Sequence, residues 1–325
     1  MKKKITSLIF CALLFALCFP AEAQQVRKIP RIGYVSVSGS PNNPGVLVEA
    51  FRQGLRDLGY DEGKNIVVEY RWAAVEPERV SAFVAELVQL KVDVLVSSSA
   101  AALRAAKQAT PTIPIIMVAS FDPVEAGMVE SLAHPGGNIT GVARFGHELS
   151  GKRLELFKEA VPKMSRVGVL AAQESSALKD YEAAARTQKI AFEALVVSGP
   201  NPDLEGVFQA AIKGHVNALI TQGSVWINRY QKQIVELALK NRLPSMFEGS
   251  GWVQIGGLLS YGSDEVANFK RAAVYVDKIL KGAKAADLPV EQPMKFEFAI
   301  NLKTAKQIDV TIPPNVLARA DKVIR

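Results

Sequence analysis

Cysteine is almost missing: the 325-residue chain has two, Cys11 and Cys18, and none after position 18. A disulfide framework and cysteine-based catalysis or zinc binding are therefore excluded for everything that follows. Histidine is equally sparse, and His134, His147 and His215 show no metal-ligand spacing. There is no Gly-x-Ser-x-Gly elbow for a serine nucleophile. Gly-x-Gly-x-x-Gly is missing after the first apolar strand, which argues against a dinucleotide enzyme. Pro135-Gly136-Gly137-Asn138 is not followed by Lys-Ser or Lys-Thr, so it reads as a turn and not a phosphate loop. Basic clusters are absent too: the net charge of +7 is spread along the chain, without the aromatic-interleaved patch that a phosphate backbone requires. Nucleic acid is thus not expected as a partner, and no cofactor or metal is expected.

Long hydrophobic runs are lacking as well, and the longest lies at the start. Lys2, Lys3 and Lys4 precede twelve apolar residues, Leu8 to Phe19, followed by Ala21-Glu22-Ala23. This is the three-part pattern of a secretory leader, cut before Gln24. The run is too short to span a bilayer. An uncleaved anchor or a lipoprotein is the alternative, although Leu17 is bulky for a lipidation site. Cleavage would leave 302 residues and, with three lysines and one glutamate removed, a charge of +5. The expected location is the periplasm, and stability there must come from apolar burial, which the 49% apolar composition permits.

The remainder alternates short β-rich apolar runs with segments of helical period, the pattern of βαβ units and parallel sheets. Strands are expected at 32–35, 66–72, 92–96 and 113–118. Between them lie helices bearing Leu47, Phe51, Leu55 and Leu58, then Phe83, Leu87 and Leu90, then residues 99–109, and the series closes near Gly141. The grammar then restarts. Arg166-Val167-Gly168-Val169-Leu170 echoes Arg31-Ile32-Gly33-Tyr34-Val35, residues 216–220 echo 92–96, and Leu243-Pro244 echoes Ile113-Pro114. The expected fold class is α/β: two doubly wound parallel-sheet lobes joined by a multi-strand hinge. Lobe one takes residues 24–143 plus a helix at 264–282. Lobe two takes 147–258 plus a C-terminal strand region, 294–325. The chain would cross near 143–147, 258–264 and 284–294, and the cleft between the lobes is the expected binding site.

Ligands of such sheets gather beyond the carboxyl ends of the strands. In lobe one this selects Ser38 and Ser40, Ser98 and Ser99, and Ser120, Phe121 and Asp122. In lobe two it selects Gln173, Gln222, Trp226 and Glu248. Ser98 and Ser99 either hold an anion at a helix start or cap that helix. Asp122 before Pro123 reads as a cap, with ligand contact the alternative. Glu248, in a Gly-rich loop, either pairs with a ligand ammonium or is a solvated charge. Phe121 and Trp226 offer stacking surface or plug a lobe interface. Trp72 reads as packing, and Trp252 is open.

Several motifs resemble one family. Leu55-Arg56-Asp57-Leu58-Gly59-Tyr60, residues 65–72, Asp122-Pro123-Val124, residues 135–141, Gly151-Lys152-Arg153-Leu154-Glu155-Leu156, Gly257-Leu258-Leu259-Ser260-Tyr261-Gly262, residues 279–293 and residues 300–305 are similar, in order and spacing, to the bacterial ABC-transporter substrate-binding proteins of the tryptophan-binding TrpX type. Two positions depart from that pattern: Ser97-Ser98-Ser99-Ala100 stands where many relatives have a Gly-Thr-Pro-like turn, and Phe121 where they often have Gly. The resemblance implies a type I periplasmic-binding-protein fold. It also implies a small organic solute such as an amino acid or related carboxylate, and an inner-membrane ABC permease as partner; with no nucleophile elbow, metal spacing or dinucleotide motif in the sequence, no enzymatic activity is expected. In amino-acid binders of this fold the serine turn is where the α-carboxylate sits. A monomer is expected. The alternatives are a periplasmic ligand sensor for a membrane receptor and an exported enzyme on the same scaffold.

Overall fold

The computed structural model describes residues 28–36, 39–73, 79–119, 121–143, 149–172, 177–199, 201–293 and 295–325, with the side chains of 225 and 226 excepted. The first sheet has strands β1 (Arg31–Ser36), β2 (Val67–Trp72), β3 (Val94–Ser97), β4 (Ile115–Ala119) and β5 (Ile139–Ala143) in the order β2-β1-β3-β4-β5, all parallel. The inner strands are buried on both faces, which is why they read as continuous apolar runs. One face carries helices α2 (Val80–Gln89) and α3 (Ala100–Ala109); the other carries α1 (Val46–Asp57).

The second sheet has β6 (Arg166–Ala172), β7 (Ala191–Val197), β8 (Ala218–Thr221), β9 (Ser245–Phe247), β10 (Leu259–Ser263), β11 (Phe296–Asn301) and β12 (Lys322–Ile324). Its order is β12-β11-β10-β9-β8-β6-β7. Helices α4 (Ser150–Ala160), α5 (Ala177–Thr187), α6 (Leu204–Lys213), α7 (Val225–Arg229), α8 (Gln231–Lys240), α9 (Ser250–Gln254), α11 (Leu302–Gln307) and α12 (Pro314–Leu317) accompany it. The long helix α10 (Glu265–Leu280) instead lies on the first sheet beside α1, where Gly54 admits it: a Cβ there would stand 2.9 Å from the Ala273 side chain.

The sequence echo is a topological repeat. β1 and β6 each lie between the second and third strands of their series, and their glycines do one job. A Cβ on Gly33 would stand 2.9 Å from Leu95, and one on Gly168 2.7 Å from Leu195. Pro114 and Pro244 each precede the fourth strand and accept from the third, from Leu95 N at 2.8 Å and Leu219 N at 2.9 Å. Proline has no N–H to pair, so β4 and β9 begin after it.

The two α/β parallel-sheet lobes are as expected, with one local exception in the second sheet. β11 runs antiparallel to β10, because the chain leaves β10 for the first sheet and re-enters from the edge it left. Strands β7 and β12 were not read from the sequence: each is a half-exposed edge strand with weak apolar character. The third strand starts at Val94, not Val92, since Asp93 turns its carboxylate to Arg31 N (2.8 Å).

Three passages connect the sheets. They run from β5 to α4, from β10 through Asp264 to α10, and from Glu291, which bridges Val142, to β11. The last two involve one and four residues, reaching at most about 4 Å and 15 Å. The first two leave the carboxyl ends of β5 and β10, and the third runs from beside the carboxyl end of β5 to the amino end of the antiparallel β11, where Phe296 pairs with Ser263 at the carboxyl end of β10, so those edges of the two sheets confront each other.

Candidate functional site

The confronting edges carry the loops selected above. On the first sheet, the serine turn after β3 divides its work. Ser97 Oγ donates to Val35 O (2.9 Å) and accepts from Ser99 N (3.1 Å), tying β3 to β1. Ser99 is the N-cap of α3, its hydroxyl accepting from Ala102 N at 3.3 Å. Ser98, half-buried between them, takes no part in the cap. Ser40 is used locally: its hydroxyl accepts from Asn43 N at 3.2 Å within a tight turn. Asp122 Oδ1 accepts from Val124 N (2.8 Å) and Glu125 N (3.1 Å), capping a single turn. Phe121 is half-buried against the core around α2 and α3. Ser38 and Ser120 lie outside the described residues, as does Gln173 on the second sheet.

On the second sheet, Gln222 is half-buried at the end of β8 and its N–H donates to Leu170 O (2.8 Å). Ser224 caps α7, accepting from Ile227 N at 3.2 Å, and α7 carries Trp226. Trp252 stacks on Phe247 at 4.6 Å and 14° and is buried, so it belongs to the core. Trp72 stacks on Tyr70 at 5.6 Å within the first sheet. The repeat therefore aligns the candidates: Ser98 and Asp122 follow the third and fourth strands of one sheet, Gln222 and Glu248 the third and fourth of the other.

Glu248 is neither a free carboxylate nor a solvated loop charge. Its Oε1 lies 3.2 Å from Nη1 of Arg153, on α4, and 20% of its side chain is exposed. Arg153 is 2% exposed and spends its other donors inward, Nε on Tyr261 O (2.7 Å) and Nη1 also on Tyr181 Oη (3.3 Å). Burial by itself would lower the guanidinium pKa, but the fields of Tyr181 and Glu248 outweigh it and the net shift is upward. Burial also pushes the Tyr181 phenol up, so it stands beside the guanidinium as a neutral hydroxyl at neutral pH.

The family model for ABC transporter substrate binding proteins matches residues 42–324. The chain belongs to that family. A tyrosine-binding protein of Clostridioides difficile (strain R20291) is 31% identical over 273 residues, 81% of this chain and 76% of that one. Among solved structures, the ABC domain from Streptococcus pneumonia in complex with L-Trp is 24% identical with a TM-score of 0.82, covering 91% of this chain and all of that one. A conserved domain protein from Vibrio cholerae O1 biovar El Tor matches at 26% identity over the same shares, also with a TM-score of 0.82. The ligand-free, open structure of a substrate-binding protein with adhesive properties from Clostridium difficile matches at 22% identity and a TM-score of 0.66, covering 91% and 99%.

Proteins of this ABC substrate-binding family are extracytoplasmic; they bind small-molecule solutes and work with ABC permeases. Among the described residues no helix is long and apolar enough to cross a membrane. Residue-by-residue reading of this substrate-binding protein's site missed Arg153. A signal was present: Ser150, Arg153, Leu154, Phe157 and Ala160 form one buried helical stripe, and an arginine in such a stripe must find a buried partner.

Proposed function

We propose that this substrate-binding protein captures an amino acid between its two lobes and presents it to an ABC permease. The observation that carries this reading is the polarity of the confronting edges. One offers Ser98 beside the start of α3, where unpaired N–H groups and a hydroxyl suit a carboxylate. The other offers the Glu248 carboxylate, which suits an ammonium. A zwitterion meets both, and Phe121 with Trp226 would cover its side chain. The name of the tyrosine-binding relative and the L-Trp bound in the pneumococcal neighbour make tyrosine and tryptophan the first solutes to test.

A solute touching both edges stabilises the closed state by its differential affinity for it. The moving units are residues 24–143 with helix 264–282, and 147–258 with 294–325, flexing about the three passages. Binding and release require no covalent step, so we assign no catalytic residue, no cofactor and no nucleic-acid partner, and a monomer suffices. The leader is read as removed during export to the periplasm. Mass spectrometry tests both points at once. Protein purified from its native host is expected to release an amino acid on denaturation and to weigh as the 302-residue chain from Gln24. Release of a sugar or a nucleoside would refute the solute class, and a full-length mass would refute the leader.

The serine turn gives a sharper test. Ser99→Ala removes a cap and is expected to cost about 1 kcal/mol of stability with affinity nearly unchanged. Ser98→Ala is expected to leave the melting temperature in place. It should weaken binding about ten- to a hundredfold, the effect of losing a hydrogen bond to a charged group. Calorimetry and thermal melts on both variants check this; the opposite pattern would move the anion contact away from Ser98.

A further inference from the structure

At the carboxyl edge of the second sheet, three neighbouring strands present Gly223 after β8, Glu248 after β9 and Gly262 in β10. Both glycines are cradle positions. A Cβ at Gly262 would stand 1.8 Å from Glu248 O, and one at Gly223 2.6 Å from Glu248 Oε2. Neither has a left-handed φ, so their common requirement is room for Glu248, not backbone freedom. From beneath, Arg153 takes Oε1. The guanidinium thus takes one oxygen of the carboxylate, while the other, Oε2, lies against Gly223 in the space that a side chain there would occupy.

We propose that Arg153 and Gly223 are positioning residues that make Glu248 a one-oxygen acceptor selecting solutes with a protonated amine. This rests on the reading above, in which Glu248 receives the ligand ammonium. With Oε1 committed to the guanidinium, the carboxylate cannot swing to follow a misplaced donor, and its one remaining oxygen accepts a single N–H. Without Gly223 the same carboxylate is displaced. Arg153 itself is buried and has no contact to offer the solute; it acts through Glu248. The pinning also limits a side effect of placing a carboxylate at the site. Half-neutralised by Arg153, Glu248 repels the solute's own carboxylate less than a free anion would.

The test compares each of the twenty amino acids with its desamino acid, for L-tyrosine 3-(4-hydroxyphenyl)propanoate and for L-tryptophan indole-3-propanoate, by calorimetry on wild type, Glu248→Gln, Gly223→Ala and Arg153→Lys. Wild type is expected to prefer its amino acid over the desamino acid by about a hundredfold or more. Gly223→Ala, which adds one methyl beside Glu248 and removes no donor or acceptor, is expected to bind the amino acid about ten- to a hundredfold more weakly and the desamino acid unchanged, so the preference collapses. Arg153→Lys keeps the charge but not the fork, and is expected to lose part of the preference. A merely structural role would weaken both compounds alike. If Glu248→Gln abolishes the preference while Gly223→Ala and Arg153→Lys retain it, Glu248 receives the ammonium but the positioning proposal falls. If Glu248→Gln leaves the preference intact, or wild type shows none for any amino acid, the underlying reading falls and takes the proposal with it.

Discussion

Arg153→Met is expected to destabilise the protein by about 3 to 5 kcal/mol, the range for removing one partner of a buried ion pair. The pair is asymmetric: Arg153 is 2% exposed and Glu248 20%, so the carboxylate left behind can turn partly to water. That alone would place the loss at the low end. The variant also strips the donor from Tyr261 O and from the wholly buried Tyr181 hydroxyl, which raises it again. Methionine fills most of the arginine volume, so little of the loss comes from a cavity. Urea unfolding of Arg153→Met, Glu248→Gln and the double variant checks the source. The double variant is expected to recover part of the loss, because the uncompensated carboxylate is gone. A single-variant loss below about 1 kcal/mol would mean that the guanidinium is not the anchor of this cluster.

Gly141→Ala is expected to cost about 4 kcal/mol, combining two independent effects. Gly141 has a φ of +135°, which side-chain-bearing residues rarely adopt, at about 1 to 3 kcal/mol. Its Cβ would also stand 2.2 Å from Met117 O, a backbone atom of the paired strand β4, and such overpacking costs about 1 to 3 kcal/mol more. The position matters for function because Gly141 O accepts from Glu291 N (2.9 Å), which fastens the last inter-lobe passage to β5. Gly59 separates the two effects: its φ is +86° but nothing lies within 4 Å of its would-be Cβ, so Gly59→Ala carries strain alone. Thermal melts are expected to drop by roughly 10 °C for Gly141→Ala and clearly less for Gly59→Ala. Equal drops would show that the approach to Met117 relaxes freely.

Much of the site's framework was legible in the sequence because it is local. Caps act over three residues, so the cap alternatives at Ser99 and Asp122 could be stated from spacing, and both residues do cap, accepting from Ala102 N (3.3 Å) and Val124 N (2.8 Å). The paired prolines and glycines of the two series marked the repeat for the same reason: each answers to its own strand. Glu248 was singled out because no local duty was visible for it. Its partner was not, since Arg153 is 95 residues away and stands in the sequence only as one charge of the 151–156 motif. The duty of Ser97 is hidden for the same reason: its acceptor, Val35 O, is 62 residues away.

By itself the sequence determined the alternation of strands and helices, the duplication of the series and which loops follow the carboxyl ends of the strands. These follow from hydrophobic period and from turn and cap chemistry, which act within a few residues. Only the tertiary structure decided that β11 runs against β10 and which of several exposed-looking polar side chains are already committed. Those outcomes depend on the return path of the chain between two sheets and on burial, which forces a charge such as Arg153 to find its partner wherever packing brings one within 3.2 Å.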